Sequence, residues 1–276
     1  MKVDLDPEQL LTELADEFEV DCVDYWRDFN RIRFNLKQIL PLVPENGTVI
    51  DLGAGNGITS LALQAAGANV TAVDNWLPYS REDSDVDPLM HRTGERNAIL
   101  ERYRRHNVRT IETDLLKGDL PLEDATFDVA ITMAVIEHFP GSPRKLLEEA
   151  KRVLKPGGVL VIEVPNHAAL RNRLKLLIGK TVHFAIEDWY RSDPFFGHFR
   201  ELTRSELEKY VEFLDMETVW FRTSDSSFHN TKYSDGHYRR EYKLNSLFQI
   251  AKIFYLLACL PFPTFQFQFL IAARKK

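Results

Sequence analysis

Hydrophobic and polar positions along this chain follow two alternating rhythms. Short apolar runs end in an acid, and longer stretches repeat with helical spacing. Val49-Ile50-Asp51-Leu52 is the first such run and leads into Gly53-Ala54-Gly55-Asn56-Gly57, after which Ile58–Ala66 reads as a helix. Asn69–Asp74 is a second buried strand and Arg109–Thr113 a third, followed by Asp114. Phe127–Met133 is a strongly apolar fourth. A helix over Ser142–Leu154 closes on Lys155-Pro156-Gly157-Gly158, a tight turn feeding a fifth strand, Val159–Val164. Strands alternating with helices predict an α/β fold around a parallel sheet.

The flanking segments fit around that frame. Asp6-Pro7 sets a capping acid before proline at a first helical position, and a second helix spans about Asp21–Leu40, ending before Pro41. Tyr25, Trp26, Phe29 and Phe34 on that helix read as packing residues or as part of a lid over Tyr25–Arg33. Thr203 with Glu206 reads as a capping box on a helix running to Leu214, and Glu217–Thr223 as a sixth strand. Asn245–Leu260 is almost wholly apolar but contains Lys252 and stops at Pro261. That is short of the roughly 20 residues a membrane span needs, so it reads as a buried helix or as a shallow lipid-docking one. Phe265–Ala273 begins with alternation and reads as a half-buried last strand.

Two insertions interrupt the pattern. Asn75 to about Met90 carries the acidic run Arg81–Asp87, which lacks the glycine and terminal glutamate of a calcium loop and reads as a solvated loop. About His167 to Arg200 holds His167, His183, Trp189, Tyr190, Phe195, Phe196 and His198. An aromatic segment just past a strand's carboxyl end suits an acceptor pocket, and equally a satellite core under a long loop.

The glycine turn brings in chemistry. Glycine permits positive φ and close approach of a ligand to bare backbone, and the following helix offers its unpaired N–H groups. The spacing is G-x-G-x-G, tighter than the G-x-G-x-x-G of dinucleotide-binding folds, which disfavours a nicotinamide cofactor. Asp74 lies where a carboxylate can accept hydrogen bonds from ribose hydroxyls.

The blocks VIDLGAGNG, VTAVDN, the acid of IETDL, LPLEDATFDVAITMAVIEHF and RVLKPGGVLVIEVPN resemble, in order and interval, the class I S-adenosylmethionine-dependent methyltransferases. The likeness covers about 49–166 and extends more loosely through Glu201–Leu207. It implies a seven-stranded, mostly parallel, doubly wound sheet with an antiparallel last strand, N-terminal helices, and a helical, aromatic insertion after strand 5. One domain is expected. It comprises a helical lid (1–45), a cofactor-binding core (46–166), a substrate-pocket insertion (167–202) and a helix-strand part (203–276).

The resemblance also implies roles. Asp51 with the backbone at Gly53, Ala54 and Gly55 would contact the methionine part of S-adenosylmethionine. Asp74 would hold the ribose hydroxyls, with Asn75 beside it. Asp114 would meet the adenine amino group with Leu115 at the ring, and Thr132 and Met133 would approach the methionine amine. His138 and His198 are the candidates for a general base, since histidine titrates near neutral pH; each is equally open to a structural role. Quinone-pathway O-methyltransferases show Glu-x-x-Glu-His where this chain has Ala134-x-x-Glu137-His138, so neither a metal nor a quinone acceptor is carried over.

Composition then narrows the field. Net charge is −6, which gives no global attraction to nucleic acid. Cys22 and Cys259 are too few for a disulfide frame or zinc site and suit buried thiols in a reducing compartment. The N-terminal residues lack a signal-peptide apolar core, so a cytoplasmic location is expected. The expected activity is methyl transfer, with oxygen the preferred target, to a small-molecule, glycan or lipid-linked acceptor. Peripheral membrane contact through 245–271 is a further expectation. The rival reading is a non-catalytic cofactor- or partner-binding module.

Overall fold

The computed structural model describes residues 6–15, 17–18, 22–76, 96–191, 195, 197–225, 231–234, 237–240, 254–255, 257–259 and 261–276, without the side chains of 22–28 and 231–240. Its centre is a seven-stranded sheet in the order β3-β2-β1-β4-β5-β9-β6. The strands are β1 (Thr48–Leu52), β2 (Asn69–Asp74), β3 (Arg109–Glu112), β4 (Phe127–Met133), β5 (Leu154–Pro165), β6 (Met216–Ser224) and β9 (Gln268–Lys275). Two short strands, β7 (Thr231–Ser234) and β8 (His237–Arg240), pair separately. Strands β1 to β5 pair in parallel, and β9 runs antiparallel to both neighbours, β5 and β6. The expected seven-stranded doubly wound sheet is therefore present.

Both faces of the sheet are covered, which is why its central strands read as unbroken apolar runs. Val49, Ile131 and Val161 join one core with Leu36 and Ile39 of α2 (Cys22–Ile39) and Leu61 of α3 (Ile58–Ala65). Ile50, Ala130 and Ile162 join a second core with Leu146 and Val153 of α5 (Arg144–Val153) and Leu207 of α8 (Arg204–Phe213). The cap residues act as expected. Asp6 accepts from the Glu8 amide at the start of α1 (Pro7–Glu13), and Thr203 and Glu206 form a reciprocal capping box on α8.

Three boundaries differ from the sequence expectation. Strand β5 starts at Leu154, because the Pro156-Gly157 turn bulges out of a continuous strand: Phe127 pairs with Leu154, and Val129 with Val159. Gly157 takes φ +78° in that bulge. Strand β9 begins only at Gln268, after a 3-10 turn at Pro263–Phe265, and its first six residues are all buried. It is an interior strand between β5 and β6, not a half-buried one. Strand β3 ends at Glu112. Of the apolar stretch 245–260, the described residues 254–255 and 257–259 are helical, with Phe254 and Leu257 exposed and Cys259 a buried free thiol. Residues 77–95, including the acidic run, lie outside the described residues, as do Phe196 and the side chains of Cys22, Tyr25 and Trp26.

Candidate active site

Strand β1 sits between β2 and β4, so the chain leaves the sheet in opposite directions on either side of β1. In open α/β sheets ligands bind at that switch point, outside the strands' carboxyl ends. The glycine turn occupies it. Gly53, Gly55 and Gly57 take φ +84°, +53° and +98°, conformations that disfavour any side chain. Each has a different neighbour. A Cβ on Gly53 would meet Val135 Cγ2 at 2.4 Å, and one on Gly57 would meet Tyr103 and Leu61 at about 3 Å, whereas one on Gly55 would meet nothing within 4 Å. Gly53 and Gly57 permit packing; Gly55 leaves bare backbone beside open space.

The turn is held rigidly from behind. Tyr103, from α4 (Arg96–Arg105), donates its hydroxyl to the carbonyls of Ala54 and Gly55, and Trp76 Nε1 donates to Gly55 O at 2.9 Å. The Asp74 carboxylate accepts from Gly55 N at 2.9 Å and from the amides of Asn75 and Trp76. Asp51 is buried and accepts from Ser60 Oγ at 2.6 Å. Burial, partly offset by that hydrogen bond and reinforced by Asp74, pushes the Asp51 carboxyl up to about 7. Asp114 caps its own loop by accepting from Leu116 N, and Leu115 is half-buried against the second core.

A second group gathers beyond β4 and β5. Thr132 is fully buried with its hydroxyl unpartnered, and Met133 is the last β4 residue, paired with Glu163 of β5. Helix α2 reaches this end: Arg31 Nη1 lies 2.9 Å from Glu163 Oε2, and Asn35 Nδ2 lies 3.8 Å from Met133 Sδ. Gln268 of β9 donates to the other Glu163 oxygen at 2.9 Å. Ala134 takes φ +56°, and the chain turns into the 3-10 element Ile136–His138.

The 167–202 insertion closes on that 3-10 turn. Its ends are pinned where Asn166 bridges to Leu202, and the amides of Phe199 and Arg200 both donate to Glu137 O. This sets His198 against His138, ring centroids 4.7 Å apart. His198 Nδ1 lies 2.8 Å from Glu201 Oε1. Burial raises the Glu201 carboxyl, but the hydrogen bond and charge of His198, with Arg171, overcome it and hold that carboxyl below its ordinary range. Glu137 is the reverse case: 1% exposed, with both carboxylate oxygens lacking a hydrogen-bond partner. Burial, reinforced by the charge of Glu163 and opposed by the nearby amide of Glu137 itself, pushes it up to about 8. Ligand atoms of Glu137, His138 and His198 lie within 4.8 Å of one another, so the three could hold a divalent cation, although none is expected from the sequence.

Rings of the insertion extend from His198. Phe184 lies 5.2 Å from it, Phe195 lies 5.8 Å from Phe184, and Trp189 lies 4.8 Å from Phe195. His167 and His183 pair with each other, and Tyr190 points to solvent at 87% exposure. The structure therefore gathers two sets: Asp51, Gly53, Ala54, Gly55, Asp74 and Asn75 at the glycine turn, and Thr132, Met133, His138 and His198 beyond β4. Sequence reasoning gave no role to Glu201, Glu163 or Arg31. The acid within the apolar run Val159–Val164 was the available signal for Glu163.

Comparison with known proteins identifies the family and the fold. A family model described as a methyltransferase domain matches residues 25–219. A ubiquinone biosynthesis O-methyltransferase from Actinobacillus pleuropneumoniae serotype 7 is 34% identical over 131 residues, 48% of this chain and 50% of that protein. A demethylmenaquinone methyltransferase from Clavibacter sepedonicus is 34% identical over 126 residues, 46% of this chain and 43% of that protein. The chain thus spans about half the length of the curated relatives it matches. Among solved structures, a SAM-dependent methyltransferase from Archaeoglobus fulgidus superposes with TM-score 0.52 at 17% identity, covering 89% of this chain and 94% of that one. One from Thermotoga maritima, described as a possible histamine N-methyltransferase, gives 0.52 at 20% identity, covering 95% of this chain and all of the other. These last two establish the fold.

Proposed function

The chain belongs to the methyltransferase-domain family, and from that premise we propose that it transfers the methyl group of S-adenosylmethionine to a hydroxyl of a small aromatic acceptor. The observation that carries the reading is the open backbone at Gly55, its amide held by Asp74, at the sheet's switch point. The residues fit the donor. Gly55 leaves room for it, the buried Thr132 hydroxyl is unpartnered, and the Asp74 carboxylate is bonded to the Gly55 amide beside that space. When bound, the sulfonium supplies an electrophilic methyl carbon open to in-line displacement.

The chain's own residues do the rest. Asp51 and the Gly53–Gly55 backbone hold the methionine part, Asp74 and Asn75 the ribose, Asp114 and Leu115 the adenine, and Thr132 and Met133 flank the amine. Arg31 and Asn35 bring α2 over the ends of β4 and β5 as a lid. The shielding that such a cover provides favours charge-neutralising displacement. His198, oriented through Nδ1 by Glu201, takes the acceptor proton at Nε2, with His138 beside it. Holding the acceptor oxygen against the methyl contributes up to roughly 7–11 kcal/mol in favourable cases.

The rings of Phe184, Phe195 and Trp189 favour a planar acceptor, and the names of the curated relatives favour a hydroxylated quinone precursor over a glycan. No described helix is long and apolar enough to cross a membrane. A cytoplasmic location and a small-molecule partner complete the reading. Calorimetry with S-adenosylmethionine, then mass spectrometry of an acceptor panel spanning catechols, hydroquinones and sugars, tests it. Heat of binding and a singly methylated catechol or hydroquinone are expected. No binding of the donor or its demethylated product would leave the non-catalytic reading.

A further inference from the structure

Large apolar side chains are concentrated on one exposed stretch of this protein. Fourteen are exposed among the described residues, and eight of them fall between Leu174 and Tyr190. Clusters of exposed apolar side chains edged by polar residues mark surfaces that meet a partner or a membrane. The stretch comprises α6 (Leu170–Leu177), the loop after it, and α7 (Ile186–Arg191). Leu174, Leu177 and Ile178 lie at i, i+3 and i+4 and share a face, at 47%, 81% and 68% exposure. Ile186, Trp189 and Tyr190 are 69%, 53% and 87% exposed.

The base of α6 is anchored, so the exposure is not that of a loose end. Arg171 stacks on Phe267 and Arg173 on Phe265. Asn172 is buried and donates to the carbonyls of Asn166 and His167. Phe262, itself 53% exposed, lies 4.8 Å from Phe265 and extends the apolar surface towards the C-terminal segment.

Charge identifies what covers it. The chain as a whole is acidic, at −6, yet residues 170–191 hold five cations, Arg171, Arg173, Lys175, Lys180 and Arg191, against two acids, Glu187 and Asp188. Arg173, Lys175 and Lys180 are exposed beside the apolar side chains. Apolar residues with an aromatic pair, interleaved with cations, match the boundary of an anionic bilayer, where acyl chains take the first and headgroups the second. We propose that residues 170–191 dock this protein on an anionic lipid surface. The ring series from Trp189 through Phe195 and Phe184 to His198 then leads from the lipid boundary to the site. This places the lipid-facing element in the insertion after β5, not in the 245–271 tail. It rests on the proposed function only for the identity of the acceptor, since docking needs neither donor nor acceptor.

Co-sedimentation of the whole chain with phosphatidylcholine vesicles, with and without a third of phosphatidylglycerol, tests it. The protein is expected to pellet with the anionic vesicles and to be released by high salt. Leu177→Asp with Ile178→Asp should weaken that binding by about tenfold or more, the scale of losing one inserted apolar side chain. Lys175→Glu with Lys180→Glu should abolish the preference for anionic lipid. Both variants change exposed positions, and unaltered circular dichroism and donor affinity would show them folded. Wild-type protein that binds no vesicle, or variants that bind as wild type, would overturn the proposal. So would a dimer in sedimentation velocity that the apolar variant splits, with no lipid binding, which would assign the surface to a second copy. Loss of vesicle binding with donor binding intact separates this outcome from failure of the proposed function.

Discussion

Gly53 and Val135 approach so closely that a β-carbon on Gly53 would lie 2.4 Å from Val135 Cγ2. The glycine turn after β1 and the turn after β4 are thus packed against each other by the absence of one carbon. Gly53→Ala should destabilise the fold by about 2–4 kcal/mol, combining overpacking with a left-handed backbone. Gly55→Ala meets open space, so it should cost only about 1–2 kcal/mol of backbone strain but lower donor affinity by about tenfold or more. Thermal denaturation and calorimetry on the two variants check the contrast. The assignment fails if the two lose donor affinity and stability alike.

Asp114 lies two residues past β3, in a loop that its own carboxylate caps, whereas His138 belongs to the group beyond β4. Asp114→Ala should therefore weaken donor affinity more than His138→Ala does, and Asp74→Ala should weaken it at least as much. Titration of the three variants with S-adenosylmethionine measures the order. Equal losses would reassign these residues.

His198 is held by Glu201 at 2.8 Å, with the rings of Phe184 and His138 against it. His198→Asn should lower kcat by about a hundredfold, the scale of one general base. Glu201→Gln keeps the shape and removes the charge beside His198 Nδ1. It should lower kcat less than His198→Asn does and leave donor affinity unchanged. An unchanged kcat would make Glu201 structural.

Glu137 carries its proton to about 8 in the fold, against an ordinary 4.5. The folded state then binds that proton more tightly than the unfolded chain. The stability it contributes is complete below about pH 4.5 and is lost as pH rises through about 8. Glu137→Gln cannot ionise. Its melting temperature relative to wild type should rise between about pH 5 and about pH 9. A constant difference would show that Glu137 is solvated or paired at high pH.

With His198 as base, chelation should not matter. Exhaustive dialysis against EDTA is expected to leave methyl transfer unchanged. Loss of activity restored by magnesium, manganese or zinc would turn Glu137, His138 and His198 into a metal centre.

What the sequence disclosed depended on distance along the chain. The glycine turn, Asp51 and Asp74 were legible because strand, turn and acid lie within a few residues of one another and obey local stereochemistry. The capping box at Thr203 and Glu206 was legible for the same reason. The start of β5 was not, because proline and glycine normally break a strand, and here pairing resumes across the bulge. Arg31 and Glu163 are 132 residues apart, and nothing local to either names the other. Glu201 is only three residues from His198, yet their hydrogen bond depends on how the insertion folds onto Glu137 O.

Strand β9 lies between β5 and β6, although it is the last of the seven to be encoded. A ribosome makes β6 before the strand that will pair with it, and the nascent β6 has no ladder in this sheet until Gln268–Lys275 emerges. A nonsense codon between Arg240 and Gln268 would therefore remove two strands from the seven-stranded sheet while deleting the residues of only one. Completion of the β-sheet consequently waits on the synthesis of Gln268–Lys275, and chaperone dependence should concentrate in that interval.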